Sequence, residues 1–229
     1  GNAKILDVKP DNIIKALEEG IIPVVAGFQG VTGERDITTL GRGGSDTTAV
    51  ALGAALKAEC VEIFTDVEGI MTADPKIVSN AKMLDEVNYR EVTEMAYNGA
   101  KVIHPRAVEL AMHYNIPLRI RSTFSDAQGT LIRLVPERVV TGIAHATHIA
   151  QLKIKVPSND KELESRIFEK LAKKGISIDM INIFPDVKIF TLAEDAVSTA
   201  AEVLKDLGVS YEITKNLAKV TVVGGGMTG

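Results

Sequence analysis

The feature that most constrains the fold is an alternation of short apolar runs with helical patterns over the first two thirds of the 229 residues. We predict strands at 21–26, 60–64, 116–120 and 130–132. We predict helices at 11–19, 47–57, 85–97 and 106–114. Strands separated by helices are typical of a parallel sheet that is covered on both faces. The first part of the chain is therefore predicted to be an α/β domain.

The pattern changes after residues 129–140, and a smaller unit follows. We predict strands at 149–156, 176–184, 187–192 and 209–213. Leu163, Ile167 and Leu171 recur every four residues, which is a helical stripe, and a second helix is predicted over 197–207. The resulting β-α-β-β-α-β order is the ferredoxin-like arrangement.

Composition excludes several classes of protein. A net charge of −4 with 4% aromatic residues and no tryptophan argues against a nucleic-acid-binding surface. No segment approaches the about 18 uninterrupted apolar residues of a membrane span. The single cysteine, Cys60, excludes an internal disulfide and a multi-cysteine metal site. We therefore expect a cytoplasmic protein that binds neither membranes nor nucleic acids.

The most informative segment, residues 39–48, reads TLGRGGSDTT and places three glycines directly before a predicted helix. Glycine lets backbone N–H groups approach a ligand closely, and the free N–H groups of a helix start favour an anion. Arg42 adds a planar guanidinium that can hold a carboxylate or phosphate with two hydrogen bonds. The alternative interpretation is a tight turn in which Ser45, Asp46 or Thr47 caps the helix.

Two weaker motifs follow. Residues 64–70 end a predicted strand, where ligands of open α/β sheets bind, and Asp66 there could accept a hydrogen bond. The alternative is a turn-forming Asp66 before Gly69. In residues 98–105, Lys101 could point into a cleft, although the motif alone favours the alternative of a solvated lysine.

Taken together, these motifs resemble the aspartokinase family. The resemblance runs in the family's order through 25–30, 39–48, 65–70, 73–75, 99–106 and 117–122. Residues 174–181 resemble the ACT regulatory module of that family. The match covers almost the whole chain, so it is more specific than any single motif.

The resemblance implies a fold and an activity. Residues 1–133 would be the carboxyl-terminal part of an amino-acid kinase domain, 139–215 an ACT domain, and 216–229 the truncated start of a second ACT domain. The implied reaction transfers the γ-phosphoryl group of ATP to the β-carboxylate of L-aspartate, with Mg²⁺ accompanying ATP. The alternatives are another amino-acid kinase and a non-catalytic, amino-acid-binding regulatory chain.

The resemblance also implies site residues. Arg42 and Asp46 would be catalytic and would bind substrate together with Gly43, Gly44 and Ser45. The nucleotide would contact Thr65, Asp66, Met71, Lys76, Lys101 and Val102. Met71 stands where the family usually has an aromatic residue, and Lys76 replaces an arginine, so it cannot form a two-pronged phosphate bond. No dedicated metal ligands are expected.

Regulation is implied by the same resemblance. Asp179, Met180, Ile181 and Asn182 would lie near an allosteric amino acid, lysine or threonine, and ACT modules would pair to form a homo-oligomer. The alternative is a dimerisation module that binds nothing. The family's amino-terminal Lys-Phe-Gly-Gly-Thr loop is not found in this sequence, so we expect the chain to be a fragment that lacks kinase activity on its own.

Overall fold

A computed structural model describes residues 3–225, which divide into two compact units. The first unit contains residues 3–144 and 221–225, and the second contains residues 145–220. Each unit has a separate apolar core.

The first unit begins with helix α1 and a two-stranded antiparallel hairpin, and then alternates helices with strands. Its helices are α1 (Asp11–Glu18), α2 (Gly44–Ala55), α3 (Tyr89–Tyr97) and α4 (Pro105–Tyr114). Its strands are β1 (Gln29–Val31), β2 (Ile37–Thr39), β3 (Val61–Thr65), β4 (Glu86–Val87), β5 (Leu118–Ser122) and β6 (Thr130–Ile132). Five of these elements, α1, α2, α4, β3 and β6, match the sequence prediction closely.

The main sheet of this unit is mixed and has the strand order β3-β5-β6-β4. Strands β3 and β5 are parallel, as are β4 and β6, but β5 and β6 are antiparallel. The predicted parallel pairing is confirmed for β3 and β5 but does not extend to β6, which is antiparallel to β5. The connection over 123–129 is too short for a parallel crossover, which needs a dozen or more residues.

The predicted strand at 21–26 is also wrong. The segment has no strand pairing, and Ile21, Ile22, Val24 and Val25 are exposed. An apolar run becomes a strand only when a neighbouring strand accepts its backbone hydrogen bonds. Among residues 3–225 no strand does so, which hydrophobicity alone does not reveal.

The core of the first unit fixes α2 on the sheet. Side chains from α2, α4, β5 and β6 meet there, including Val50, Val108, Leu118 and Ile132, all essentially inaccessible to solvent. Gly53 of α2 has no room for a side chain, since an added Cβ would lie 2.2 Å from Cγ2 of Val61. This close approach places α2 directly against β3.

The second unit has the predicted β-α-β-β-α-β order. Its elements are β7 (Gly142–Lys155), α5 (Lys161–Lys173), β8 (Asp179–Ile183), β9 (Val187–Ala193), α6 (Val197–Asp206) and β10 (Tyr211–Val223). The sheet order is β10-β7-β9-β8, and β9 is antiparallel to both β7 and β8. Leu152, Ile167, Phe190 and Leu204 are the centre of its core.

Strands β7 and β10 are longer than predicted, and both cross the boundaries of the second unit at 144/145 and 220/221. The predicted domain boundaries at 133, 139 and 216 stay predictions. They refer to domains of the family, whereas the two compact units are defined by contacts within the structure. Residues 226–229, the last part of the predicted second ACT segment, lie outside the described residues.

Candidate functional site

The ends of four secondary-structure elements meet at one edge of the main sheet. Strands β3 and β5 are parallel, so their carboxyl ends share that edge. Helix α2 precedes β3 and helix α4 precedes β5 through short connections, and the two helices pack against each other. Short connections make each helix run antiparallel to the strand that follows it, so the amino ends of α2 and α4 lie at the same edge. Ligands of open α/β sheets bind at this edge.

The glycine loop forms the amino end of α2. Gly41 and Gly43 have φ values of 80° and 67°, a left-handed conformation that favours glycine. Gly43 is the N-cap of α2, and no side chain caps the helix. The alternative in which Ser45, Asp46 or Thr47 caps α2 is therefore wrong. The Thr47 hydroxyl instead donates to the Gly43 carbonyl at 2.8 Å, and the uncapped helix start is suited to an anion.

Asp46 and Arg42 differ in their surroundings. Asp46 is half-buried and accepts a hydrogen bond at Oδ2 from the backbone N–H of His104, 3.4 Å away. Arg42 is exposed in the glycine loop. The structure thus attaches one predicted catalytic residue to the start of α4 and leaves the other facing solvent. Ser45 is also exposed, and its hydroxyl lies 3.4 Å from Oδ1 of Asp46.

Two residues at the start of α4 were given no role by the sequence reasoning, although they lie in the quoted motif 99–106. The His104 ring occupies the space beside Gly43, and the Arg106 guanidinium donates to the Leu40 carbonyl at 3.1 Å. The arginine also donates to the Ala3 carbonyl at 3.2 Å. The available signal was Pro105, which marks a helix start and so places His104 at the N-cap.

The carboxyl end of β3 brings Thr65 and Asp66 to the same edge. The Thr65 carbonyl accepts from the N–H of Thr123 at 2.8 Å, which continues the β3–β5 pairing. The Thr65 hydroxyl donates to Oδ1 of Asp66 at 3.2 Å, and the Asp66 carboxylate is exposed. Asp66 is therefore accessible to a ligand. Its exposure is compatible with both predicted roles, ligand binding and turn formation.

The other predicted nucleotide contacts lie in two loops. Met71 is half-buried and forms an isolated antiparallel bridge with Met83. Lys76 is exposed, and its N–H donates to Oδ1 of Asp74 at 2.9 Å. Lys101 is exposed just before α4, whereas the neighbouring Val102 packs against the core. Their roles stay predictions, and for Lys101 both the ligand-binding and the solvated interpretations remain open.

The predicted effector residues lie on β8 in the second unit. Asp179 to Asn182 are all exposed, and the pairing of β8 with β9 shifts register between Asp179 and Asn182. Met180 has a positive φ of 46° at this irregularity. The Lys219 ammonium donates to Oδ2 of Asp179, and this bond lowers the pKa of the carboxyl below its ordinary value.

Two negative findings apply to residues 3–225. They contain no group of three or more His, Cys, Asp or Glu side chains that could hold a metal ion. In the same range, no helix is both long enough and apolar enough to cross a bilayer. Burial raises the pKa of the partly buried Cys60 thiol, which lies one residue before β3.

A glycine loop at an uncapped helix start, on the ligand edge of an α/β sheet, is typical of α/β proteins that bind phosphorylated or other anionic ligands. Residues 1–122 match the amino acid kinase family, and the chain belongs to that family.

Curated relatives and solved structures show that the similarity extends to the aspartokinases in particular. The chain is 47% identical to aspartokinase 1 of Bacillus subtilis over 237 residues, covering 100% of this chain and 59% of that protein. It is 33% identical to E. coli aspartokinase III in complex with aspartate and ADP, with a TM-score of 0.73, covering 93% of this chain and 50% of that one. The Clostridium acetobutylicum aspartate kinase gives a TM-score of 0.82 at 28% identity, covering 95% and 53%. The resemblance to aspartokinases is confirmed, and the chain spans 58–60% of the curated relatives it matches.

Proposed function

We propose that the protein carrying this chain is an aspartate kinase that transfers the γ-phosphoryl group of ATP to the β-carboxylate of L-aspartate. The observation that supports this best is the uncapped glycine loop at the start of α2, with Arg42 exposed in it and Asp46 anchored to α4. E. coli aspartokinase III, a structural relative, was solved in complex with aspartate and ADP.

The loop has the groups that substrate binding requires. The Arg42 guanidinium is free to form two hydrogen bonds with a substrate carboxylate. Gly43, Gly44 and Ser45 provide the amino end of α2, whose partial positive charge stabilises an anionic ligand. Asp46, which accepts a hydrogen bond from the His104 N–H, would contact the amino group of an amino-acid substrate.

The chemical step needs no protein nucleophile. A β-carboxylate oxygen of aspartate attacks the γ-phosphorus, the bond to the β,γ-bridging oxygen breaks, and ADP leaves with that electron pair. The product is an acyl phosphate, and no proton is transferred. Positioning and charge stabilisation are therefore what the protein supplies.

The nucleotide would lie at the carboxyl end of β3. Thr65, Asp66, Met71, Lys76, Lys101 and Val102 are the proposed contacts. The exposed ammonium groups of Lys76 and Lys101 can neutralise phosphate charge, and the thioether of Met71 can pack against the base. Mg²⁺ would be held by the phosphates and water, as is usual for this ion, since residues 3–225 contain no dedicated cluster of ligands.

The second unit is proposed to be a regulatory ACT module within residues 139–215, with a second module starting in 216–229. Asp179, Met180, Ile181 and Asn182 would contact lysine or threonine, and paired modules would form a homo-oligomer. E. coli aspartokinase III has also been solved in complex with lysine and aspartate. We place the enzyme in the cytoplasm, where ATP and free amino acids are available.

The test uses the complete protein that carries this chain. ATP turnover is measured with aspartate, glutamate and N-acetylglutamate as separate acceptors, and with the isolated 229-residue chain as a comparison. We expect turnover with aspartate only and none from the isolated chain. Turnover with another acceptor in place of aspartate would show that the proposed substrate is wrong. Turnover by the isolated chain would overturn its assignment as an inactive fragment. Calorimetry with lysine and with threonine tests the regulatory assignment, which is wrong if neither binds.

A further inference from the structure

The His104 ring takes up the space where a side chain at position 43 would lie. A Cβ added to Gly43 would be 2.2 Å from both Cβ and Cγ of His104 and 2.5 Å from Cδ2. Non-bonded carbon atoms do not approach each other this closely, so the ring and the glycine backbone are in direct contact. Because Gly43 is the N-cap of α2, the ring lies against the first residue of the proposed anion site.

The ring itself is held by the start of α4. His104 is the N-cap of α4, and its Nδ1 accepts a hydrogen bond from the N–H of Arg106 at 3.3 Å. The ring orientation is therefore fixed by the same bond that caps the helix.

The residues beside His104 hold the loop at two more points. The backbone N–H of His104 donates to Oδ2 of Asp46, and the Arg106 guanidinium donates to the Leu40 carbonyl. Residues 40, 43 and 46 are thus all contacted from the first turn of α4 and the residue before it. A loop with two left-handed glycines has high conformational freedom when unsupported, so these contacts select one of its conformations.

From these contacts we infer that His104 is a positioning residue that fixes the glycine loop for substrate binding. Its ring acts through packing against Gly43, in addition to capping α4, and it does not itself contact the reacting atoms. The inference rests on the proposed function of the loop as the substrate site. Small displacements of a positioning element cost up to about 100-fold in rate, so loss of the ring should be visible in kinetics.

Two substitutions in the complete protein separate packing from capping. His104→Asn keeps an N-cap acceptor for the Arg106 N–H but removes the ring from Gly43, whereas His104→Ala removes both. The control is His113→Ala, which changes an exposed histidine in the last turn of the same helix. We measure the melting temperature, the KM for aspartate and kcat.

We expect His104→Asn to melt close to wild type while the KM for aspartate rises about tenfold or more and kcat changes less. His104→Ala should show the same kinetic defect with a lower melting temperature, and His113→Ala should match wild type in both. If His104→Asn has the KM of wild type, the ring serves only as a cap and the inference is overturned.

Amide hydrogen exchange gives a readout that does not depend on activity. We expect faster exchange in residues 40–48 of His104→Asn than in wild type, with no change there in His113→Ala. If the wild-type protein shows no aspartate-dependent turnover, the proposed function fails, but the exchange comparison still decides the role of His104. Unchanged exchange in 40–48 of His104→Asn would overturn the inference.

Discussion

Two independent constraints require glycine at position 43. The backbone has a φ of 67°, which costs a non-glycine residue about 1 kcal/mol or more. The His104 ring leaves no room for a Cβ. Any side chain at this position would move either the loop or the start of α4, so glycine is the only residue that fits the observed geometry.

Arg42 is the residue whose substitution most directly tests the substrate site. In the complete protein, Arg42→Ala should lower kcat/KM for aspartate by about 30- to 1,000-fold, equivalent to roughly 2–4 kcal/mol for a lost bidentate carboxylate contact, provided that the bound ligands exclude water from the now exposed guanidinium. Arg42→Lys keeps the charge without the planar fork and should give an intermediate loss. Steady-state kinetics over a range of aspartate concentrations measure both, and a wild-type kcat/KM in Arg42→Ala would remove the residue from the site.

At the scale of the element, helix α3 anchors the chain that leads out of the first unit. Asn88 and Glu91 form a capping box at its start, and Glu91 is 3% exposed. Oε1 of Glu91 also accepts from the Arg138 N–H at 2.9 Å and from the Thr141 hydroxyl. One buried carboxylate therefore both starts a helix and fixes the segment 138–141.

Substitution of Glu91 should destabilise α3 and this segment together. We expect Glu91→Ala to cost about 3 kcal/mol, because it leaves several buried donors without an acceptor. Native-state hydrogen exchange should show reduced protection in both 89–97 and 135–141. The matched control is Glu94→Ala on the exposed side of the same helix, which should be nearly neutral; equal effects of the two would contradict the anchoring role.

The ion pair between Asp179 and Lys219 in the second unit predicts that the stability of this unit depends on pH. Lys219 lowers the pKa of Asp179 below its ordinary value of 3.8. A carboxyl whose folded pKa is lowered contributes stability above its ordinary pKa, and this contribution is lost as pH falls through the lower, folded value. The pair therefore stabilises the second unit near neutral pH; this contribution begins to decline as pH falls below about 4 and is lost below the lower, folded pKa.

NMR titration of the Asp179 carboxyl measures this shift directly. We expect Lys219→Met to return the pKa of Asp179 towards its ordinary value. Lys153→Met, which removes the surface pair of Lys153 with Glu212 at 3.2 Å, should leave the pKa of Asp179 unchanged. A lowered pKa that persists in Lys219→Met would assign the shift to another cause.

At the scale of the whole molecule, residues 3–225 contain two cores that share no residue. Leu118 in β5 and Leu152 in β7 are both fully buried, one in each core. They offer a matched pair of substitutions, because the residue type, the burial and the position within a sheet are alike. A defect in one core is expected to remain in its own unit.

Leu118→Ala and Leu152→Ala should each cost about 2–5 kcal/mol, measured as protection against hydrogen exchange. Protection should fall in residues 61–132 for Leu118→Ala and in residues 150–213 for Leu152→Ala, with little change in the other range. If either substitution lowers protection equally in both ranges, the units unfold as one and the division does not hold.

Much of the fold was predictable because local patterns determine it. The four-residue spacing of Leu163, Ile167 and Leu171 predicted α5, and the run 130–132 predicted β6 with its observed bounds. The glycine loop before α2 was likewise predicted from the segment 39–48 alone. In each case residues that are neighbours in sequence form the hydrogen bonds and the apolar face of the element.

Contacts between distant residues decided the rest. Hydrophobicity predicted a strand at 21–26, but strand formation depends on a partner elsewhere in the chain, and no described residues supply one. The direction of β6 against β5 followed from the length of their connection and not from either strand.

The sequence by itself determined the glycine loop, the order of the elements in the second unit and the family. Only the tertiary structure decided that the loop starts α2 without a side-chain cap and that the His104 ring packs against Gly43. The physical reason is that backbone preference and periodicity act over a few residues, whereas packing joins positions 43 and 104, which the linear pattern does not relate.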